Sequence, residues 1–240
     1  MKQFTQQEID RMFEDRYHDE QRFKIEKYRQ LNRLVPSGKV LFTGSSLMEM
    51  FPVDELCRSA GIDAPVYNRG VGGFTTDDFL REIDTQLLDL KPGKVFINIG
   101  TNDIRNDPAI PEGWLAHLTV NYREILRRLR ESLPDCDLYL MAYYPVNPDA
   151  KAAQQGWGAE ALKVRTNEAI GRANQMVAQL ADEFGGTFIN VNQGLTDEQG
   201  RLKEEFTLDG IHMCPAAYAV VLENLRPYVT VGEADEPPGG

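Results

Sequence analysis

Lys39-Val40-Leu41-Phe42-Thr43-Gly44-Ser45-Ser46-Leu47-Met48 is the stretch on which the fold turns. Its first half is a short, nearly continuous apolar and β-branched run, the pattern of a strand covered on both faces. A glycine then permits a tight turn, and a serine beyond it would stand at the mouth of a sheet where a helix begins. The same grammar recurs along the chain. Strand-like runs are expected at Lys39 to Thr43, Val66 to Arg69, Lys94 to Ile99, Leu138 to Tyr143 and Thr187 to Val191. Helical periodicity fills Thr75 to Leu90, Glu112 to Leu133 and Ala159 to Phe184, and Pro215 opens a last helix running to Pro227. Such alternation predicts an α/β domain: a parallel sheet with helices on both faces and its working loops at the carboxyl ends of the strands.

Ahead of this domain, Ile9, Phe13, Tyr17, Tyr28 and Leu31 recur near helical period between charges. They predict one or two amphipathic helices from Thr5 to Leu34, closed by Pro36-Ser37-Gly38. The expected organisation is therefore an N-terminal helical extension over 1–36, the domain over 37–230, and a disordered acidic tail over 231–240. The extension can cover the domain's own helices or act as a dimer arm, which leaves a homo-oligomer open.

With 240 residues, 42% of them hydrophobic, the chain can bury one sizeable core. A formal net charge of -11 repels phosphate backbones and anionic lipid, so neither nucleic acid nor membrane is an expected partner. The densest basic stretch, Arg123 to Arg130, has helical spacing and reads as a solvated helix face. Cys57, Cys136 and Cys214 form no CxxC pair and no zinc spacing, and read as reduced thiols. The polar, acid-rich start has no apolar h-region and no run reaches the length of a membrane span, so cytoplasmic residence is expected.

Four loops gather at the predicted rim. They are Gly44-Ser45-Ser46 after the first strand, Gly70-Val71-Gly72-Gly73 after the second, Gly100-Thr101-Asn102-Asp103 after the third, and Asp209-Gly210-Ile211-His212 before the last helix. Each alone is a weak signal. Jointly they offer a hydroxyl nucleophile, an imidazole base, a carboxylate to orient it and amide donors for an oxyanion, the set that acyl transfer needs. Two adjacent serines compete for the first role.

The blocks VLFTGSSLMEMF (Val40 to Phe51), NRGVGGFTT (Asn68 to Thr76), INIGTNDI (Ile97 to Ile104) and TLDGIHMCPAAY (Thr207 to Tyr218) resemble, in order, those of the SGNH (GDSL-type) hydrolases. The resemblance spans about Val40 to Pro227. It implies a flavodoxin-like three-layer α/β/α sandwich with a parallel five-stranded sheet, and ester hydrolysis by serine with no metal and no cofactor. By register it makes Ser46 the nucleophile, Asp209 and His212 its partners, and the Ser46 and Gly73 N–H groups with the Asn102 amide the oxyanion hole. Many members carry an aspartate where this chain has Ser45, which is expected to orient the turn by hydrogen bonding. The chemistry is consistent: a serine hydroxyl needs an imidazole held in one tautomer to take its proton.

Substrate walls are expected from loops after the strands, with Phe74, Tyr144 and Trp157 as contacts; Trp157, between two glycines, reads equally as an aromatic wall or a surface residue. Leu47, Met48, Met50 and Phe51 read as packing residues, Asp103 as a brace for its loop, and His18 and His117 as ordinary histidines. The leading expectation is a carboxylic ester hydrolase working through an acyl-enzyme on small-acyl esters of polar molecules such as acetylated carbohydrates. Lysophospholipase, thioesterase or acyltransferase activity uses the same machinery, and a silent ligand-binding domain is the reading from another class. Nucleotide binding is disfavoured, since GxGxxG fails at Thr75 and no GxxxxGK[ST] occurs.

Overall fold

A computed structural model describes residues 4–110, 112–154 and 157–230 of the chain. Five strands, β1 (Val40–Gly44), β2 (Val66–Asn68), β3 (Lys94–Asn98), β4 (Asp137–Met141) and β5 (Thr187–Ile189), form one sheet in the order β2-β1-β3-β4-β5. All neighbouring pairs are parallel. The nine α-helices among the described residues are α1 (Gln6–Asn32), α2 (Ser46–Glu49), α3 (Val53–Ser59), α4 (Thr76–Arg81), α5 (Ile83–Gln86), α6 (Trp114–Ser132), α7 (Trp157–Leu162), α8 (Asn167–Glu183) and α9 (Pro215–Val229).

The strands read as continuous apolar runs because both faces are covered. Leu41, Val95, Ile97, Leu138 and Leu140 point into a core closed by Ile25 of α1, Phe79 of α4, Ile83 of α5, and the apolar faces of α6 and α8. Val40, Phe42, Phe96, Met141 and Ile189 point the other way, against Leu47, Met48, Val53 and Cys57 and against Tyr218, Val221, Leu222 and Leu225 of α9. Register aligns Phe42 with Phe96 and Phe96 with Tyr139. Their rings stack at centroid distances of 4.6 and 4.9 Å, tying three strands together on that face. The result is the expected three-layer α/β/α sandwich around a parallel five-stranded sheet.

Several expected elements differ in detail. The N-terminal segment is one helix, opened by a capping box in which Thr5 and Glu8 satisfy each other's backbone N–H. It folds back on its own chain: Tyr28 Oη donates to Gly70 O, Asn32 Nδ2 to Thr85 O, and Arg69 Nε to Asn32 Oδ1. The helix expected over Thr75 to Leu90 is broken into α4, α5 and a 3-10 turn at Leu88–Leu90. That expected over Ala159 to Phe184 is split at Thr166, whose side chain accepts the N–H of Ala169 and starts α8 afresh. Met50, read as a packing residue, is 40% exposed at the end of its turn of helix. The acidic tail, 231–240, lies outside the described residues. Among those described, no helix is long and apolar enough to cross a membrane.

Candidate active site

The sheet's carboxyl edge brings the predicted residues together. β1 ends at Gly44, where an added Cβ would lie 2.0 Å from the Asn98 carbonyl oxygen, so only glycine lets the chain leave the sheet this close to β3. The next two residues then part. Ser45 is fully buried, and its Oγ has no hydrogen-bond partner among the described residues. Its hydroxyl therefore takes no part in orienting the turn. The bracing comes from its backbone, whose N–H donates to Asn98 O and whose carbonyl accepts from Met48 and Glu49. Ser46 is partly exposed on the cleft, with Oγ 3.0 Å from His212 Nε2.

Asp209 holds the imidazole with both carboxylate oxygens. Oδ1 accepts the N–H groups of Ile211 (2.9 Å) and His212 (2.7 Å) and so shapes the turn. Oδ2 lies 2.6 Å from His212 Nδ1. Burial pushes the Asp209 carboxyl up, but hydrogen bonds from the His212 ring and backbone outweigh it and bring it down to about 2. An ionised carboxylate can only accept, so Nδ1 carries the ring proton and Nε2 presents its lone pair to Ser46. The arrangement can take a proton from the Ser46 hydroxyl.

Opposite the serine stand amide donors. Val71, Gly72, Gly73 and Phe74 form a turn closed by Phe74 N–H to Val71 O, with Gly73 at φ +74°. Neither the Gly73 nor the Ser46 N–H donates to another backbone group among the described residues. Asn102 sits in a 3-10 turn after β3, where its Nδ2 donates to Phe74 O at 3.0 Å and its Oδ1 accepts from Arg165 Nη2 at 3.0 Å. A carbonyl only accepts and a guanidinium only donates, so this is the one amide orientation that satisfies both neighbours. It leaves the second Nδ2 hydrogen for a ligand. Beneath the turn, Asp103 accepts from both the N–H and the hydroxyl of Thr76, linking the second and third loops.

These groups open onto a cleft of about 1030 Å³. Its floor is Ser46, Gly72, Gly73, Asn102 and His212, and its walls are Phe13, Glu14 and Tyr17 of α1, Ile104 to Asn106, and Glu160, Ala161, Val164 and Arg165 around the end of α7. Two expected contacts are absent from it. Phe74 (5% exposed) packs in the core beneath the turn, and Tyr144 (2% exposed) packs on the α9 side of the sheet. Alternation along an irregular loop does not announce which side chains turn inward, and these turned in. Trp157 opens α7, and its side chain lies outside the described residues.

The walls from α1 and the Arg165 guanidinium were missed in the sequence. Neither lies in a motif; the one available signal was that Phe13 and Tyr17 share a helix face. Of the other histidines, His117 pairs with Asp77 of α4 at 2.8 Å, a tertiary partnership not visible in its own helix, and lies 3.6 Å from nearby Glu112. Among the described residues no group of three or more His, Cys, Asp or Glu side chains could hold a metal ion.

Comparison with known proteins agrees with the fold. The sequence model described as the GDSL-like Lipase/Acylhydrolase family matches residues 51–220, a span that opens five residues after Ser46. A Streptococcus pneumonia structure, provisionally described as a platelet activating factor, is 31% identical with a TM-score of 0.81, covering 94% of this chain and 100% of its own. A GDSL-like lipase from Bacteroides thetaiotaomicron is 20% identical with a TM-score of 0.66, over 85% of this chain and 96% of its own. Axe2 from Geobacillus stearothermophilus, an acetylxylan esterase in the form of a catalytic mutant, is 17% identical with a TM-score of 0.60, over 82% and 97%. No curated protein gives a significant match. Fold, site and family together define a carboxylic ester hydrolase. The chain belongs to the GDSL-like lipase/acylhydrolase family, the SGNH hydrolases.

Proposed function

We propose that the protein hydrolyses carboxylic esters through an acyl-enzyme on Ser46. The observation that carries this reading is the continuous path from Asp209 Oδ2 through the His212 ring to Ser46 Oγ, at 2.6 and 3.0 Å. His212 Nε2 takes the Ser46 proton as Oγ bonds to the substrate carbonyl carbon, whose π electrons move onto oxygen. The N–H groups of Ser46 and Gly73 and the free hydrogen of Asn102 Nδ2 receive that negative charge. Collapse breaks the ester C–O bond, and the leaving alcohol takes the proton from His212. Water, deprotonated by the same nitrogen, then releases the carboxylic acid and restores Ser46. Asp209 orients the ring and stabilises its cationic form.

For the substrate we favour small-acyl esters of polar molecules, acetylated carbohydrates among them. The acetylxylan esterase described for Axe2 supports that class on the same fold. The excess of acidic residues argues against an anionic polymer such as nucleic acid as partner. One observation favours a second reading: Phe13, Tyr17, Ile104, Ala161 and Val164 give the cleft an apolar wall larger than an acetyl group needs. That wall suits a longer acyl chain, as in lysophospholipase or thioesterase chemistry. A series of p-nitrophenyl esters from acetyl to palmitoyl, with acetylated xylo-oligosaccharides alongside, separates the two. A kcat/KM that falls steadily beyond butyryl supports the first reading, and one that rises toward decanoyl overturns it. Absence of turnover on every ester would reject the esterase mechanism itself.

A further inference from the structure

We propose that Gln21, on the N-terminal helix, is a positioning residue for the oxyanion hole. The proposal rests on the reading above in which the Gly73 N–H receives the oxyanion. Gly72 and Gly73 are the two central residues of the turn from Val71 to Phe74. Gly73 has a positive φ of +74° and Gly72 does not, which makes this a type II turn. Types I and II differ chiefly by a flip of the central peptide, here the Gly72–Gly73 peptide itself. With glycine at both positions neither state is sterically penalised, so the sequence of the turn does not choose between them. A trans peptide points its C=O and N–H in opposite directions, so whatever fixes the Gly72 carbonyl fixes the Gly73 N–H.

Gln21 fixes it. Its Nε2 donates to Gly72 O at 2.8 Å across 51 residues of sequence, and the residue is only 9% exposed. On the other side Glu49 Oε2 accepts the Gly72 N–H at 2.5 Å, and Glu49 is itself paired with Lys24 of α1 at 2.7 Å. Tyr17, one helical turn before Gln21, lies against Gly73 so closely that an added Cβ would meet its hydroxyl at 1.7 Å. In the flipped turn the Gly72 carbonyl would point toward the cleft, and a carbonyl there repels the developing oxyanion instead of binding it. Helix α1, outside the span matched by the family model, thus selects the competent state of the turn.

Gln21→Met keeps length and volume but removes the donor. The expected result is a kcat lowered on the order of tenfold or more, less than the roughly 10²–10³ of deleting a donor outright, with KM nearly unchanged. Gln21→Glu, which places an acceptor against the carbonyl, is expected to lose at least as much. Tyr28→Phe removes another hydrogen bond that docks α1, from Tyr28 Oη to Gly70 O, without touching the Gly72–Gly73 peptide. It should lower the melting temperature and leave kcat intact. Unchanged kcat in folded Gln21→Met, or an equal fall of kcat in Tyr28→Phe, overturns the proposal. Asn102→Ala, measured in parallel, separates the two layers. If it loses kcat while Gln21→Met does not, the oxyanion hole stands and the role of Gln21 falls; if neither loses kcat, the oxyanion reading itself falls.

Discussion

Arg165, a residue only 5% exposed, donates from Nη2 to Asn102 Oδ1 at 3.0 Å, while its Nε finds no partner among the described residues. Desolvation lowers the guanidinium to about 10, against the pull of the Asp103 and Asp209 carboxylates, so it remains a cation at neutral pH. A buried cation with an unfilled donor is costly, and the contact it keeps is to the amide proposed to bind the oxyanion. The bond locks the amide orientation and draws electron density toward Oδ1, which sharpens Nδ2 as a donor. Arg165→Met is expected to lower kcat by about ten- to a hundredfold with little change in KM, the scale of a charge-assisted hydrogen bond of roughly 1.5–3 kcal/mol. Steady-state kinetics decide it: a defect confined to KM would place Arg165 in ground-state binding alone.

Asp209 offers a sharper test of the imidazole's orientation. Its carboxyl, held at about 2, stays ionised through any practical assay range, so an acid limb in kcat/KM above pH 4 is not its titration. Asp209→Asn puts an amide beside Nδ1 and frees the ring to adopt the other tautomer, with Nε2 carrying the proton. By analogy with the serine protease triad the expected loss in kcat is about 10⁴. A loss below tenfold would show that the ring is oriented by something else.

Asp103 makes stability depend on pH in the opposite sense from a salt-bridged carboxylate. Burial, partly offset by the Thr76 hydrogen bonds, raises it to about 6. The unfolded chain should titrate near the ordinary aspartate value of about 3.9. Below about pH 4 both states are protonated and the group costs nothing. As pH rises from about 4 to 6 the unfolded chain ionises freely while the folded one resists, so stability falls, by on the order of 3 kcal/mol in all, and stays lower above pH 6. Asp103→Asn should flatten this decline while keeping one acceptor for Thr76. Urea unfolding of both proteins at pH 4 and pH 7.5 measures the difference. An equal pH dependence in the two would mean that Asp103 is ionised at little cost.

The parts of this protein legible in its sequence are those whose physics is local. Both-face burial imposes apolar runs, so all five strands appear; the Asp209-Gly210-Ile211-His212 turn is complete within four residues, so its carboxylate–imidazole pair appears too. What stayed hidden depends on distant docking. Nothing near Gln21 announces a carbonyl 51 residues away, and nothing near Arg165 announces Asn102. Phe74 and Tyr144 were misread as walls because a loop residue's direction is set by the core it can reach. The break before α8 was readable in principle, since Thr166 stands where an N-cap should.

The two adjacent serines are told apart by burial, and this gives a test in which one substitution should improve the protein. Ser45 Oγ is sealed from solvent and bonds to nothing among the described residues, so the fold bears the desolvation of a hydroxyl without a return. Ser45→Ala removes one atom from that site and leaves the backbone bonds to Asn98, Met48 and Glu49 in place. It is expected to be neutral or stabilising by up to about 1 kcal/mol, and to leave esterase activity and fluorophosphonate labelling within about twofold of the parent. Ser46→Ala, which deletes the hydroxyl facing His212 Nε2, should abolish both while melting normally. Peptide mapping of the labelled parent completes the comparison. An adduct on Ser45, or loss of labelling in Ser45→Ala with a normal melting curve, would exchange the roles of the two residues and require the β1–α2 turn to open in solution.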